Sequence, residues 1–380
     1  MTALLLLCAT LAVVMLPMLP AIWEWHFKAD VGPLFIDTQD AQDPAFLARS
    51  FAAHLSEAIV TGQRRLGRSQ IALAPAGDDW PLTDREMRDA RSRRVWHAAE
   101  GAELPFGVNF LGEVAARGNL DTAEGSMYRA LWSGNTLVLA GRSTVLRWAH
   151  GLNVVVGRGC RLAGRVSADQ CIEVQGKASF TMLHAPAIRF LGSTSHPVAP
   201  LPLNHSMYRL GLPEGVVWNP VAGRGLADGS LDVGAYRAWR GDLVCRADLF
   251  LGVGCNVHGS IKAHGDAIVD AHCSIDGNLI CESSVSLGQG CTVTGSLTSE
   301  VAIVIGEGCV LGLPDRPATV AAPSIRIAAG VVVHGTVWAG TSGRAQAKAG
   351  AGGDTVASSP VLAVAAAADA AMGLAAGVGT

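Results

Sequence analysis

Between residues 241 and 312, small or apolar side chains return at every sixth position. The series is Leu243, Leu249, Cys255, Ile261, Ala267, Cys273, Leu279, Val285, Cys291, Leu297, Ile303 and Cys309. A second series runs two residues later, from Cys245 through Leu251, Val257, Ala263, Val269, Ile275, Cys281, Leu287 and Val293. Ser299 interrupts it before Ile305. Positions i and i+2 of a strand point to the same side. Each hexad therefore predicts a short strand with two inward side chains, followed by a turn.

Three hexads make an eighteen-residue unit, and four such units follow without a gap: 241–258, 259–276, 277–294 and 295–312. Gly259, Gly277 and Gly295 open three of them, and Cys273, Cys291 and Cys309 recur at one later position. The insertion Leu313–Arg316 follows, and a fifth unit resumes over 317–334. One coil cannot bury its own inner face, but stacked coils can. The pattern predicts an all-β fold, a parallel β-helix of about 18 residues per coil. Residues 146–181 keep the same step through Trp148, Val154, Cys160, Val166, Ile172 and Ala178, and are assigned to the same rod. Residues 193–236 do not. They hold Pro197, Pro200, Pro202, Pro213 and Pro220, and read as an excursion that leaves the rod and returns.

Ahead of the rod the pattern changes. Residues 3–23 carry no charge and predict a transmembrane helix, with Pro17 and Pro20 near its end and Trp23 and Trp25 at the interface. A signal peptide is the competing reading, but no basic residue precedes the apolar run and the cleavage signal is poor. Residues 43–59 predict a helix capped by Asp43, with an apolar stripe of Leu47, Phe51, Leu55 and Ile59. Residues 83–100 predict a solvated helix opened by Thr83 and Glu86 at capping-box spacing. The expected organisation is an anchor at 1–23, a mixed helical juxtamembrane region at 24–127 and a first β-helix part at 128–192. The excursion at 193–236, a second β-helix part at 237–340 and a flexible Ala/Gly-rich tail at 341–380 complete it.

A net charge of -3 offers no basic field for nucleic acid. The nine cysteines are odd in number, widely spaced and lack any CxxC pair, so neither a zinc site nor a disulfide framework is expected. Buried thiols acting as small hydrophobes in a reducing compartment are the plain reading. No cofactor is implied. Lys262, His264 and Asp266 alternate along one strand and share its outer face. Such a row is ordinarily a solvated face, though a histidine there is also a candidate general base. Trp148 lies on the inward series and reads as core or an end plug, with Trp338 near the other end. Asp315 and Arg316, in the loop that bulges from the rod, are candidate contacts for a protein partner, as is 193–236.

The run "GSIKAHGDAIVDAHCSIDGNLICESSVSLGQGCTVTGSLTSE" starts its coils with G-[SN]-[IL] and keeps aliphatics at fixed steps. In this it resembles the bactofilins, polymer-forming bacterial cytoskeletal proteins. The resemblance covers 241–312 well and 146–181 and 317–340 loosely. It implies a nucleotide-free rod on the cytoplasmic side of the cell inner membrane, held by a single-pass segment and forming homo-oligomers through its rod ends. Bactofilins are usually short, with one uninterrupted rod. The additions in this chain would cap one end and block polymerisation. The expectation is a membrane-anchored β-helix scaffold rather than an enzyme. The alternative is a trimeric hexapeptide-repeat acyltransferase acting on an envelope sugar, whose eighteen-residue coil and [LIV]-G-x-x-x-x unit "LGQGCT" and "IGEGCV" also resemble. There His264, Asp266 and Lys262 would be catalytic. A third reading is an extracytoplasmic carbohydrate-binding β-helix with disulfide-bonded thiols.

Overall fold

The computed structural model describes residues 1–20, Trp23, His26, 43–75, 80–192 and 209–346. Contacts divide the chain into two units, 1–46 and 47–380. In the first, an α-helix runs over Thr2–Met15 and gives way to a 3-10 turn at Leu16–Met18, where Pro17 removes a ladder donor. The single helix expected over 3–23 is therefore not formed. Its 14 residues extend about 21 Å, against a hydrocarbon core of about 30 Å. Among the described residues no helix is long and apolar enough to cross a membrane.

The second unit is a parallel β-solenoid of about 13 turns, about 18 residues apart. Leu243 pairs with Ile261, Ile261 with Leu279 and Leu279 with Leu297, each one coil further on. The two six-step series are the inward faces, and their side chains are buried from end to end. The glycines that open the coils are required by close approach. A Cβ on Gly277 would stand 2.4 Å from the carbonyl oxygen of Gly259, and one on Gly295 2.6 Å from that of Gly277. Backbones of successive coils pass too near at this corner for any side chain.

Two expectations need correction. First, the solenoid starts well before residue 128. Arg91 pairs with Asn109, Trp96 with Val114 and Phe110 with Tyr128 in the same parallel manner. The helix expected over 83–100 is confined to Asp84–Asp89, and Val95–Ala98 is a fully buried strand. The capping box of Thr83 and Glu86 does form. Ala90 then ends the helix in the left-handed conformation, and the apolar Val95 and Trp96 are drawn into the solenoid core.

Second, the excursion does not return the chain to the coil that it left. It consists of two stacks of opposite polarity. The last coil of the first stack, Ala178–Leu191, pairs antiparallel with the last coil of the second, Val332–Ala345. Ala178 faces Ala345, Met182 faces Trp338 and Ile188 faces Val333. The second stack begins earlier than residue 237, since Arg224–Ala227 already pairs with Asp242–Cys245. Residues 193–208 of the expected excursion lie outside the described residues, as do 347–380 of the expected tail and 27–42 of the juxtamembrane region.

Both outer ends of the double stack are starting coils, and both are covered. At the first, Arg65–Leu66 folds antiparallel onto Ser69–Leu73, which pairs with Val95–Ala98. Trp80 plugs the core there. Its ring lies 4.9 Å from that of Trp96 and 5.6 Å from that of Phe110, and its Nε1–H donates to Glu103 O. At the second, Val217–Asn219 folds antiparallel onto Arg224–Ala227, and Leu212 and Val216 pack against the core. A solenoid end left open would present unpaired strand edges.

The helix Phe46–Val60 lies along the outside of the first stack. Its predicted stripe forms: Leu47 and Phe51 pack with Ala130 and Trp148, and Leu55 and Ile59 with Val95 and Ala115. Trp148 is buried, but on the outer face beneath this helix, with Phe51 5.4 Å away between ring centroids. A bulge between Val145 and Trp148 moves it off the inward series, so it is not an end plug.

Candidate functional site

The outer face of the second stack carries a groove of about 580 Å³. Its floor is a ladder of outward positions in register, Lys262, Ile280, Thr298, Ala321 and Trp338, one from each successive coil. Thr298 and Ala321 are short, and Ile280 and Trp338 rise on either side of them. One wall is formed by Glu282, Glu300, Pro323 and Thr341. Glu282 and Glu300 follow Cys281 and Ser299, which pair directly, so the two carboxylates occupy the same place on adjacent rungs. Trp338 is 57% exposed. It is not at an end of the rod, as its sequence position suggested, but beside the junction, opposite Met182.

The predicted trio is only partly brought together. Lys262 Nζ lies 2.9 Å from Glu282 Oε1, and His264 Nδ1 lies 2.9 Å from Glu282 Oε2. The hydrogen bonds from Lys262 and then His264 hold the Glu282 carboxyl below the usual glutamate range. Asp266 does not join them. Its carboxylate accepts from the Ser284 N–H at 2.9 Å and from the Ser283 hydroxyl at 2.5 Å, tying one coil to the next. The hub of the patch is thus Glu282, one coil away from His264. A one-dimensional pattern of alternating polar residues does not reveal it. The eighteen-residue offset does, once 264 and 282 are written one above the other.

The thiols form the expected ladder inside the corner. Cys255, Cys273, Cys291 and Cys309 donate to Gly234 O, Gly252 O, Asp270 O and Gly288 O at 3.1, 3.2, 3.0 and 3.0 Å. Hydrogen bonds donated to Cys255 and Cys291, then burial, hold the Cys273 thiol far above its ordinary range, and a hydrogen bond donated to Cys291, with burial, raises Cys309. Such thiols are poor nucleophiles. A second corner repeats the device: Cys281 donates to Gly265 O at 2.8 Å, and Ser299 donates to Ser283 O at the equivalent place. A hydroxyl substitutes for a thiol because each position satisfies a corner carbonyl. Among the described residues no group of His, Cys, Asp and Glu is arranged to hold a metal ion.

Asp315 and Arg316 occupy a tight turn in which Leu313 and Arg316 exchange backbone hydrogen bonds. Arg316 reaches back to Asp276 at 3.6 Å. Two further histidines fasten the junction. His184 Nδ1 lies 2.8 Å from Thr336 Oγ1, and His334 Nδ1 donates to Pro186 O at 2.9 Å. No known protein family matches the sequence, and neither a curated protein nor a solved structure does.

Proposed function

We propose that the protein is a non-enzymatic β-solenoid scaffold, a rod of fixed length held at a membrane by its apolar N-terminal segment. The observation that carries this reading is the antiparallel pairing of Ala178–Leu191 with Val332–Ala345. It uses the two C-terminal coils against each other, and the two N-terminal coils are covered by hairpins. The bactofilin-like part of the reading thus keeps the rod and the tether but not open-ended polymerisation. About 13 turns at about 4.8 Å each give a rod of about 62 Å. The tether is supported by Thr2–Met15, which has no charged residue and exposes Leu4, Leu5, Leu6, Leu11, Val13 and Val14.

Size-exclusion chromatography with light scattering and negative-stain microscopy of the full chain test the rod. Particles of one length at all concentrations are expected, and filaments that lengthen with concentration would overturn the reading. Sedimentation with membranes after an alkaline wash tests the tether, and a chain lacking residues 2–23 should remain in the supernatant. The contact of His264 with Glu282 favours the acyltransferase alternative. That alternative requires transfer activity that disappears in Glu282→Gln.

A further inference from the structure

The groove that ends at Trp338 is unlike the matching face of the first stack. There the helix Phe46–Val60 covers Trp148. Along the outer ladder from Trp148 through Arg165 and Met182 to Trp338, the cover stops and an indole stands open. Its large apolar face is left in water, open to a ligand that can stack on it.

The groove has a defined chemistry. Backbone N–H and C=O groups of its floor are spent on the rungs above and below, so a ligand meets side chains alone. Those side chains are mainly acceptors. Glu300 makes no ion pair among the described residues, and Glu282 retains acceptor capacity beside Lys262 and His264. Lys262, a cation lining the groove, is already committed to Glu282. The site therefore favours a ligand rich in donors and free of negative charge, with an apolar face to lay on the indole.

We propose that this groove binds a neutral oligosaccharide chain laid along the rod axis. A pyranose ring presents a C–H face that stacks on Trp338, while its hydroxyls donate to Glu300, Glu282 and Thr298. The ladder from Lys262 to Trp338 spans four rung steps, about 19 Å at about 4.8 Å per rung. That repeat is close to the rise per ring of an extended β-linked hexose chain, so a chain with one ring on Trp338 lays the following rings over Ala321 and Thr298. The volume of about 580 Å³ falls within the range of about 300–1,000 Å³ typical of small-ligand sites.

The test is isothermal titration calorimetry of the full-length protein with three hexamers: cellohexaose, hexa-N-acetylchitohexaose and hexagalacturonate. At least one neutral hexamer should bind, and hexagalacturonate should not, because Glu300 repels its carboxylates. Trp338→Ala should weaken binding at least about tenfold, equivalent to about 1.4 kcal/mol. Ala321→Arg, which fills the floor from an outward position, should do the same without touching the core. Trp218→Ala, at the partly exposed tryptophan of the far hairpin, should bind as the wild type does. The proposal is overturned if neither neutral hexamer binds at millimolar concentration, if hexagalacturonate binds as well as they do, or if Trp338→Ala and Ala321→Arg both bind like the wild type.

Discussion

Replacing Gly343 by valine should pry the two stacks apart. Gly343 faces Phe180 across the antiparallel junction. A Cβ at this position would stand 2.3 Å from Phe180 Cε2 and 2.7 Å from its carbonyl oxygen. The ring has little room to retreat, since it is buried and packs against Phe190 at 6.1 Å between centroids. Overpacking of this kind costs about 1–3 kcal/mol. Phe180→Ala alone should cost about 3–5 kcal/mol through the lost ring and its cavity. Combined, the two changes should cost less than their sum by a part of that overpacking cost, because the second removes the ring atoms that the first strikes. The relief stays partial, since the carbonyl oxygen remains. Urea unfolding measures the three free energies, and light scattering across a dilution series measures association. Gly343→Val should also associate with rising concentration, because a parted junction frees the edges of Ala178–Leu191 and Val332–Ala345. A variant within about 0.5 kcal/mol of the wild type, and monomeric throughout, would refute the packed junction.

Three further outcomes follow from the titratable groups. His97 is buried with Nδ1 unpartnered, and burial, aided by the charge of Arg117, lowers its pKa below the ordinary 6.5. Its neutral form favours the fold above that value and the contribution is lost as pH falls below it. Melting temperature should therefore drop between about pH 7 and pH 5, by a smaller amount in His97→Phe. Burial pushes the Glu86 carboxyl up, but hydrogen bonds from Arg94, the Thr83 N–H and the Ser92 and Thr83 hydroxyls outweigh it and hold its pKa at about 2. This contribution is complete above 4.5 and lost as pH falls toward about 2. It is on the order of 3 kcal/mol, and Glu86→Gln should flatten that acid limb of the stability curve. In the folded solenoid, a thiol reagent should label half-buried Cys171 first, and Cys273, Cys291 and Cys309 only at the rate of unfolding; prompt labelling of the ladder would contradict its burial.

The solenoid was legible wherever its coils are regular. From Asp242 to Leu311 each rung is displaced by eighteen residues and no bulge intervenes, so aliphatic and thiol positions repeat in the chain as they do in space. Ahead of residue 128 the same architecture is harder to see. Phe110 meets Tyr128 eighteen residues on, but Glu113 meets Ala130 after seventeen, and Leu120 meets Leu137 after seventeen. Such slips scramble a six-step count. The capping box at Thr83 was a true local signal, yet the apolar Val95 and Trp96 decided the fate of the segment beyond it. The reversal of polarity left no trace in periodicity, since an inward series reads alike for a coil stacked upward or downward. The groove was half visible. Lys262 and His264 could be placed on one face, but Glu282, Glu300 and Trp338 join them only when coils are superimposed.

The meeting of two terminal coils also sets a schedule for synthesis. Ala178–Leu191 leaves the ribosome without its partner, because Val332–Ala345 is translated about 150 residues later. At about 5–20 residues per second, that coil waits roughly 8–30 s as an exposed strand edge. During this interval a nascent chain is at its most adhesive toward its neighbours on the same message, and a chaperone that recognises bare strands would have its longest opportunity there.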